Sequence, residues 1–460
     1  MQQSRDQVKA LRLAVRHGDA DAARLLLAHS AALRHDRLGV RRYFIARALG
    51  VADLDYFRPF GQAAARRMSP DLLLAAARDA TRNLGRDSEI HLMASELFPS
   101  AEPLVLPFDG TWPRLATEPR LCGAGASVLG KVQIGARASL GPGTVIRADG
   151  HFVRIGDDFR LGEMSTVHIA HEIYPAIIGD RVAVGRDAVV HACTVGDDCV
   201  IEDGVVVLDG SIIENGVLIE ARSTVFPRST LKSGLVYSGS PAKPIREVMT
   251  GEIEKRALLL HDAVAASLFA TMADDAGESS NFPADVFVAR TARLAGKIDL
   301  GARSSVLFGC QFDAGGASIA VGENSNIQDN TRIDASEGGV VVGPNTTIGH
   351  NVYLRACRIG EHALVGIGSD LGTGTTVDDD VLLAAGSTTT PGQHLESGWL
   401  WGGRPARPIA RLDDTRRAAM REIIGQYRAY GAAYRLAQDR PAEQGGSNGT
   451  SAIANRHPNR

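Results

Sequence analysis

A spacing of six residues constrains this chain more than any other feature. From about residue 121, aliphatic side chains recur at Ile134, Leu140 and Ile146, then at Ile155, Leu161 and Val167, then at Ile178, Val184 and Val190. The run continues through Ile201, Val207, Ile213, Ile219 and Val225. Glycine often follows the aliphatic, as in IGARAS, LGPGTV, IGDRVA and VGRDAV. Neither the 3.6-residue period of a helix nor the alternation of a strand gives this register. Six residues per flat side and three sides per turn make a coil of about 18 residues, with one aliphatic pointing inward from each side. The predicted form is a left-handed parallel β-helix. The composition agrees: 50 glycines and only 5% aromatics suit thin, repeated layers.

A second run starts near 287 and carries Leu300, Val321, Ile327, Ile333, Val342, Ile348, Leu354, Ile359 and Val365. Both runs close on a Gly/Pro turn, SGSPAKPI at 238–245 and GGRPARPI at 402–409. The predicted fold class is therefore mainly β, two tandem lobes each followed by a helix, behind an N-terminal α-helical domain. The ranges are an α-helical domain over 1–95, a Pro-rich linker over 96–120, lobe 1 over 121–248, a helix and linker over 249–286, lobe 2 over 287–412, a C-terminal helix over 413–437 and a disordered tail over 438–460. A prism of seven coils at ~4.8 Å spacing is roughly 30–35 Å long. The helix after lobe 1, at about 22 residues, spans about 33 Å. It can run back down the first prism and deliver the chain to the base of a second one standing beside it.

With 50 basic and 53 acidic residues and a net charge of -3, no strong field invites nucleic acid or anionic lipid. No apolar run is long enough to span a membrane. Five cysteines (Cys122, Cys193, Cys199, Cys310, Cys357) without paired spacing point to a reducing compartment, and the N-terminus has no signal-peptide core, so the expectation is a soluble cytoplasmic protein.

The histidines carry the chemistry. His168 follows the inward Val167, and His191 follows the inward Val190. They are 23 residues apart, one coil plus a loop of about five read at IAHEIYPAI. That places both imidazoles on one face, one rung apart, where they can share a metal. The duplicated segments VGRDAVVHAC and IGHNVYLRAC exchange their histidines: Arg186 aligns with His350, and His191 aligns with Arg355. Position 186 lies on another side of the prism, so a third ligand at this place must serve a neighbouring prism. Lobe 1 keeps the pair and lacks the third position. Lobe 2 has Asp334 and Arg355 at the pair positions and keeps His350.

These motifs resemble the γ-class carbonic anhydrases and their hexapeptide-repeat relatives over roughly 121–248 and 287–432. IRADG (Arg147, Asp149), His168 and His191 match in lobe 1; SNIQDN (Asn326, Gln328, Asp329) and IGHN (His350) match in lobe 2. The resemblance implies a zinc, iron or cobalt ion held by His168, His191 and His350 at the interface of the lobes. It implies reversible hydration of CO2 to bicarbonate. Gln328 would orient the nucleophile or bicarbonate, and Arg147 with Asp149 and Asp329 would form a supporting ion-pair network. It also implies a homo-oligomer or a trimer-like assembly, whose third place another chain's lobe, a partner protein or the N-terminal domain could fill. Lobe 1 departs from the pattern at Gly162, Glu163 and Arg186, and lobe 2 at Asp313, Asp334 and Arg355. The family's acidic proton shuttle after R-x-D is replaced by Gly150, with His151 or Glu163 as candidate substitutes. His171, His362 and His394 are out of register and read as surface residues. Two other functions fit the prism: a CoA-dependent acyltransferase, and a non-catalytic carbonic anhydrase-like assembly subunit.

Overall fold

The computed structural model describes residues 3–81, 90–97, 101–270 and 282–439. Both runs of hexads coil as their period requires, into two parallel β-helix lobes. In lobe 1 the strands Leu121–Cys122, Ser139–Leu140, Arg160–Leu161, Ala183–Val184, Val200–Ile201, Leu218–Ile219 and Leu235–Gly239 stack in parallel as a first wall. Thr166–His168, Val189–His191, Val206–Val207 and Thr224–Val225 belong to the second wall. The inward aliphatics from Ile134 to Val225 are buried in one continuous core, and Leu300 to Val365 fill the core of lobe 2. Each full burial is worth roughly 1.5–3 kcal/mol, so the six-residue period is itself the stabilising pattern. All five cysteines are buried and unbridged, and burial pushes the Cys122 thiol up to about 12.

The connecting helix, Glu252–Ala270, runs back along the first wall of lobe 1. Its Ala257 meets Ala183, Val200, Leu218 and Val236, and its Val264, Ala265 and Leu268 meet Leu121 in the first coil. The chain therefore returns to the base of lobe 1 before lobe 2 begins. His261 of this helix is 4% exposed, with Nε2 3.2 Å from the Ser139 hydroxyl. Burial, then Arg160 and Arg120, push its pKa down from 6.5 to about 3. The native state thus binds fewer protons than the unfolded chain between these values. The stability from this site is complete above about pH 6.5 and is lost as pH falls, at about 1.4 kcal/mol per unit. Urea unfolding of His261→Gln is expected to show a shallower loss of stability than wild type between about pH 6 and pH 4. An unchanged slope would assign the acid sensitivity to other groups.

The N-terminal helices form their own core around Leu27, Tyr43, Phe44, Leu73 and Leu97. They dock on the connecting helix through His91 and Asp262, 2.9 Å apart. The segment 96–120, expected as a linker because of its prolines, is instead partly the edge of lobe 1. Leu104–Leu106 and Arg114–Leu115 both pair in parallel with Ser127–Ile134. Proline is tolerated there because an edge strand leaves some N–H groups without a ladder partner.

The lobes meet along a seam. The corner of lobe 2 at Gly309, Asn330, Asn351, Gly368 and Gly386 lies against the second wall of lobe 1. Asn330 Nδ2 donates to the Thr166 hydroxyl (3.0 Å), which donates to Asn351 Oδ1 (2.7 Å). Gly368 has φ +65°, and a Cβ there would come within 2.5 Å of Val206 Cγ2, so only glycine lets the backbones close. The C-terminal helix, Asp414–Asp439, lies along the strands of lobe 2 and brings Tyr427, Tyr430 and Tyr434 into the base of the seam. Gln438, expected in a disordered tail, is buried in this helix and accepts from Arg290 N (2.8 Å). The rest of that tail, from 440, lies outside the described residues. No helix among the described residues is long and apolar enough to cross a membrane.

Candidate metal centre

His168 and His191 are direct rung partners on the second wall of lobe 1. The loop between them spans Ala170–Tyr174, closed by a bridge between these two residues. His350 arrives from the corner of lobe 2, in the turn after Thr347–Ile348. One ligand atom from each of the three histidines lies within 4.8 Å of the others, and all three are buried. The rings of His168 and His350 are 4.7 Å apart, and those of His191 and His350 are 5.7 Å apart. Within one chain the lobes thus assemble the 2 + 1 set. The corresponding rung of lobe 2, Asp334 with Arg355, makes other contacts: Arg355 pairs with Asp370 and lies over the Tyr353 ring. Arg186 is exposed and pairs with Asp203 at 3.1 Å.

Each imidazole has one nitrogen beside a carboxylate. His168 Nε2 is 2.9 Å from Asp149 Oδ1, and His191 Nδ1 is 2.6 Å from Asp209 Oδ1. His350 Nδ1 is 3.2 Å from Asp329 Oδ2, but poorly aligned for a hydrogen bond. The remaining nitrogens converge: His168 Nδ1 and His191 Nε2 are 3.2 Å apart. Two ligands at ~2.0 Å and the tetrahedral angle on one ion require roughly 3.3 Å. Carboxylates on the outer nitrogens fix ring orientation and raise ligand basicity. Burial, then Arg147, lowers the His168 pKa well below its usual value; burial brings His350 down to about 4 against the pull of Asp329. Both are neutral at physiological pH, with no proton competing for a metal. The donor set fits a divalent transition metal.

Beneath the histidines, Arg147 is fully buried between two carboxylates. It pairs with Asp149 of its own strand and, through Nε at 2.8 Å, with Asp329 across the seam. Burial holds Asp149 up at about 6 even beside Arg147. Against burial, Arg147 and His350 keep Asp329 below the usual carboxylate range. Gln328 is buried in the same segment, with its amide donating to Asn326 Oδ1 (3.3 Å).

Three contributors escape the sequence reading. Asp209 stands eighteen residues after His191, about one coil on, and that spacing was the available signal. Tyr427 of the C-terminal helix places its hydroxyl 3.3 Å from His350 Nε2 and 3.2 Å from Arg147. Tyr430 donates to the Asp149 carbonyl (3.0 Å). Both tyrosines lie on the apolar face of a helix recognisable as such, but nothing local says where that face docks.

Comparison with known proteins agrees with this architecture. A family described as hexapeptide repeat of succinyl-transferase matches residues 175–208 and 357–391. The chain is 34% identical over 133 residues to gamma carbonic anhydrase 2, mitochondrial, of Arabidopsis thaliana, covering 28% of this chain and 48% of that one. It is 37% identical over 131 residues to protein YrdA of Escherichia coli (strain K12), covering 27% of this chain and 71% of that one. The crystal structure of a hexapeptide transferase family protein from Anaplasma phagocytophilum is 32% identical and covers 35% of this chain and 92% of that one, with a TM-score of 0.32. The chain spans about half the length of the Arabidopsis relatives it matches. Repeat, fold and relatives together define its class: the chain belongs to the γ-carbonic anhydrase-like hexapeptide-repeat proteins.

Proposed function

We propose that this chain is a γ-class carbonic anhydrase-type enzyme that builds one metal centre between its own two lobes and hydrates CO2 reversibly to bicarbonate. The observation that carries this is the trio of converging imidazoles, each with its outer nitrogen beside an aspartate. His168, His191 and His350 would hold a divalent transition metal of the kind imidazole donors suit, zinc, iron or cobalt by resemblance to the family. When bound, such an ion supplies Lewis acidity that makes water a nucleophile near neutral pH. Arg147, Asp149 and Asp329 tie the two ligand-bearing walls together, and Asp209 holds His191. Gln328 orients the reacting water or bicarbonate. The centre is complete within one chain, and a homo-oligomer would repeat it. Five buried, unbridged cysteines fit work in a reducing compartment such as the cytoplasm.

Acyl transfer needs a histidine base facing an open groove. Here the free nitrogens of His168 and His191 face each other in a buried site. The deciding experiment is metal analysis and CO2 hydration by stopped flow, wild type against His350→Ala, with CoA binding as the control. Near-stoichiometric metal and turnover are expected in wild type and neither in the variant. A wild type without zinc, iron or cobalt, or one that binds CoA and turns over no CO2, sinks the reading. Asp209→Ala is expected to keep the site but to weaken metal affinity by about 10–100-fold. Competition with a chelator measures this, and an unchanged affinity would show that Asp209 is a bystander.

A further inference from the structure

Hydration turns CO2 and water into bicarbonate and one proton, so a centre buried this deeply must pass a proton to solvent in every cycle. We propose that His171 is the group through which that proton leaves. This rests on the function proposed above and adds to it a residue that the register of the repeat excludes.

Three observations carry the inference. Gly150 follows Asp149, whose carboxylate holds His168, and has φ +104°. A Cβ built on Gly150 would come within 2.0 Å of His171 Nδ1 and 2.7 Å of Cε1. The imidazole therefore occupies the space that a side chain at 150 would fill. His171 reaches it from the short loop after His168, and it is half-buried while the three central histidines are buried. It stands at the boundary between the centre and solvent. Finally, Nδ1 is 2.6 Å from the Tyr430 hydroxyl, which also donates to the Asp149 carbonyl. Tyr430 has one proton to give. While it gives that proton to Asp149, Nδ1–H of His171 donates to the Tyr430 oxygen, and Nε2 is left with its lone pair for exchange.

Charged and titratable groups surround it. Glu172 is its neighbour in the loop. Tyr430 faces it from the C-terminal helix, with the Arg147 guanidinium 5.7 Å from that ring's centroid. Asp149 and His168 lie on the side of the centre. The other candidates are placed elsewhere. His151 Nδ1 accepts from Phe152 N and its ring packs on Phe152. Glu163 sits among Asp187, Arg186 and Arg332. In the balanced step, a water O–H bond breaks, a C–O bond forms, and the proton moves to His171 Nε2, giving imidazolium. A buffer base then removes it.

The test compares wild type, His171→Ala and Tyr430→Phe in the metal-loaded protein. In weak buffer, His171→Ala is expected to lower kcat by at least about tenfold and to leave kcat/KM for CO2 within about twofold, because proton export limits only turnover. Added imidazole should restore kcat. Independently of turnover, ring-nitrogen NMR should show His171 carrying its proton on Nδ1 with Nε2 bare, and Tyr430→Phe should change that tautomer. A normal kcat for His171→Ala in weak buffer, or a His171 ring whose Nε2 rather than Nδ1 carries the proton, overturns the proposal while leaving the enzyme reading intact. A metal-loaded wild type that does not hydrate CO2 overturns both.

Discussion

Replacing Arg147 with alanine should cost about 3–5 kcal/mol of stability, because it strands two buried carboxylates. Arg147, Asp149 and Asp329 are each fully buried, and the guanidinium is the cation shared by both acids. Asp149 comes from lobe 1 and Asp329 from lobe 2, so the loss falls on the seam. The defect should also depend on pH in a stated direction. Without the guanidinium, burial and mutual repulsion favour the protonated acids, so the native state binds extra protons. Stability of the variant then falls as pH rises, and the defect is larger at about pH 8 than at about pH 5. The companion variant Arg147→Met with Asp149→Asn and Asp329→Asn removes all three charges together and should recover much of the loss. It should not recover metal binding, because His168 and His350 lose the carboxylates beside their outer nitrogens. Urea unfolding and metal content separate the two effects. A cost below about 1 kcal/mol for the single variant would mean that water reaches these acids and that the network does not hold the lobes together.

Much of this was legible because the β-helix has a rigid period. An aliphatic every six residues fixed which side chains point inward, from Ile134 to Val225 and again in lobe 2. Subtracting a five-residue loop from the His168–His191 spacing put both on one rung. The length of the connecting helix brought His350 to the same level. What was missed lies where the period is silent. Asp209 sits in a turn, where the hexad pattern is loose. His171 read as a surface residue because the register excludes it, yet the loop that breaks the register is what swings it over Gly150. Prolines at 103, 107 and 113 masked two edge strands, whose partners are set by parallel pairing with Ser127–Ile134 rather than by local propensity.

The C-terminal helix is the other element whose destination the sequence withholds, and Tyr434 reports on how it is anchored. Its ring is fully buried, 5.1 Å from Phe308, 5.4 Å from Phe108 and 6.3 Å from Phe287 by centroid. Among the described residues its hydroxyl makes no hydrogen bond of good geometry, with Asp149 the nearby acceptor. The anchor is therefore packing, and the hydroxyl is a burden. Tyr434→Ala should destabilise by about 3–5 kcal/mol, the range for losing a large aromatic from a core. Tyr434→Phe should be neutral or stabilising by up to roughly 1 kcal/mol, because it removes a buried donor left unmade. Tyr430→Phe, which loses the bonds to Asp149 and His171, should cost about 1 kcal/mol in the same assay. The ordering matters more than any single value. If Tyr434→Phe costs as much as Tyr434→Ala, the hydroxyl is bonded in solution and nearby Asp149 is the acceptor to test. If all three follow the expected order, the helix is held by its aromatic base. Tyr427, two turns toward its N-terminus, is then held over His350 by that packing, and loosening Tyr434 should loosen metal as well.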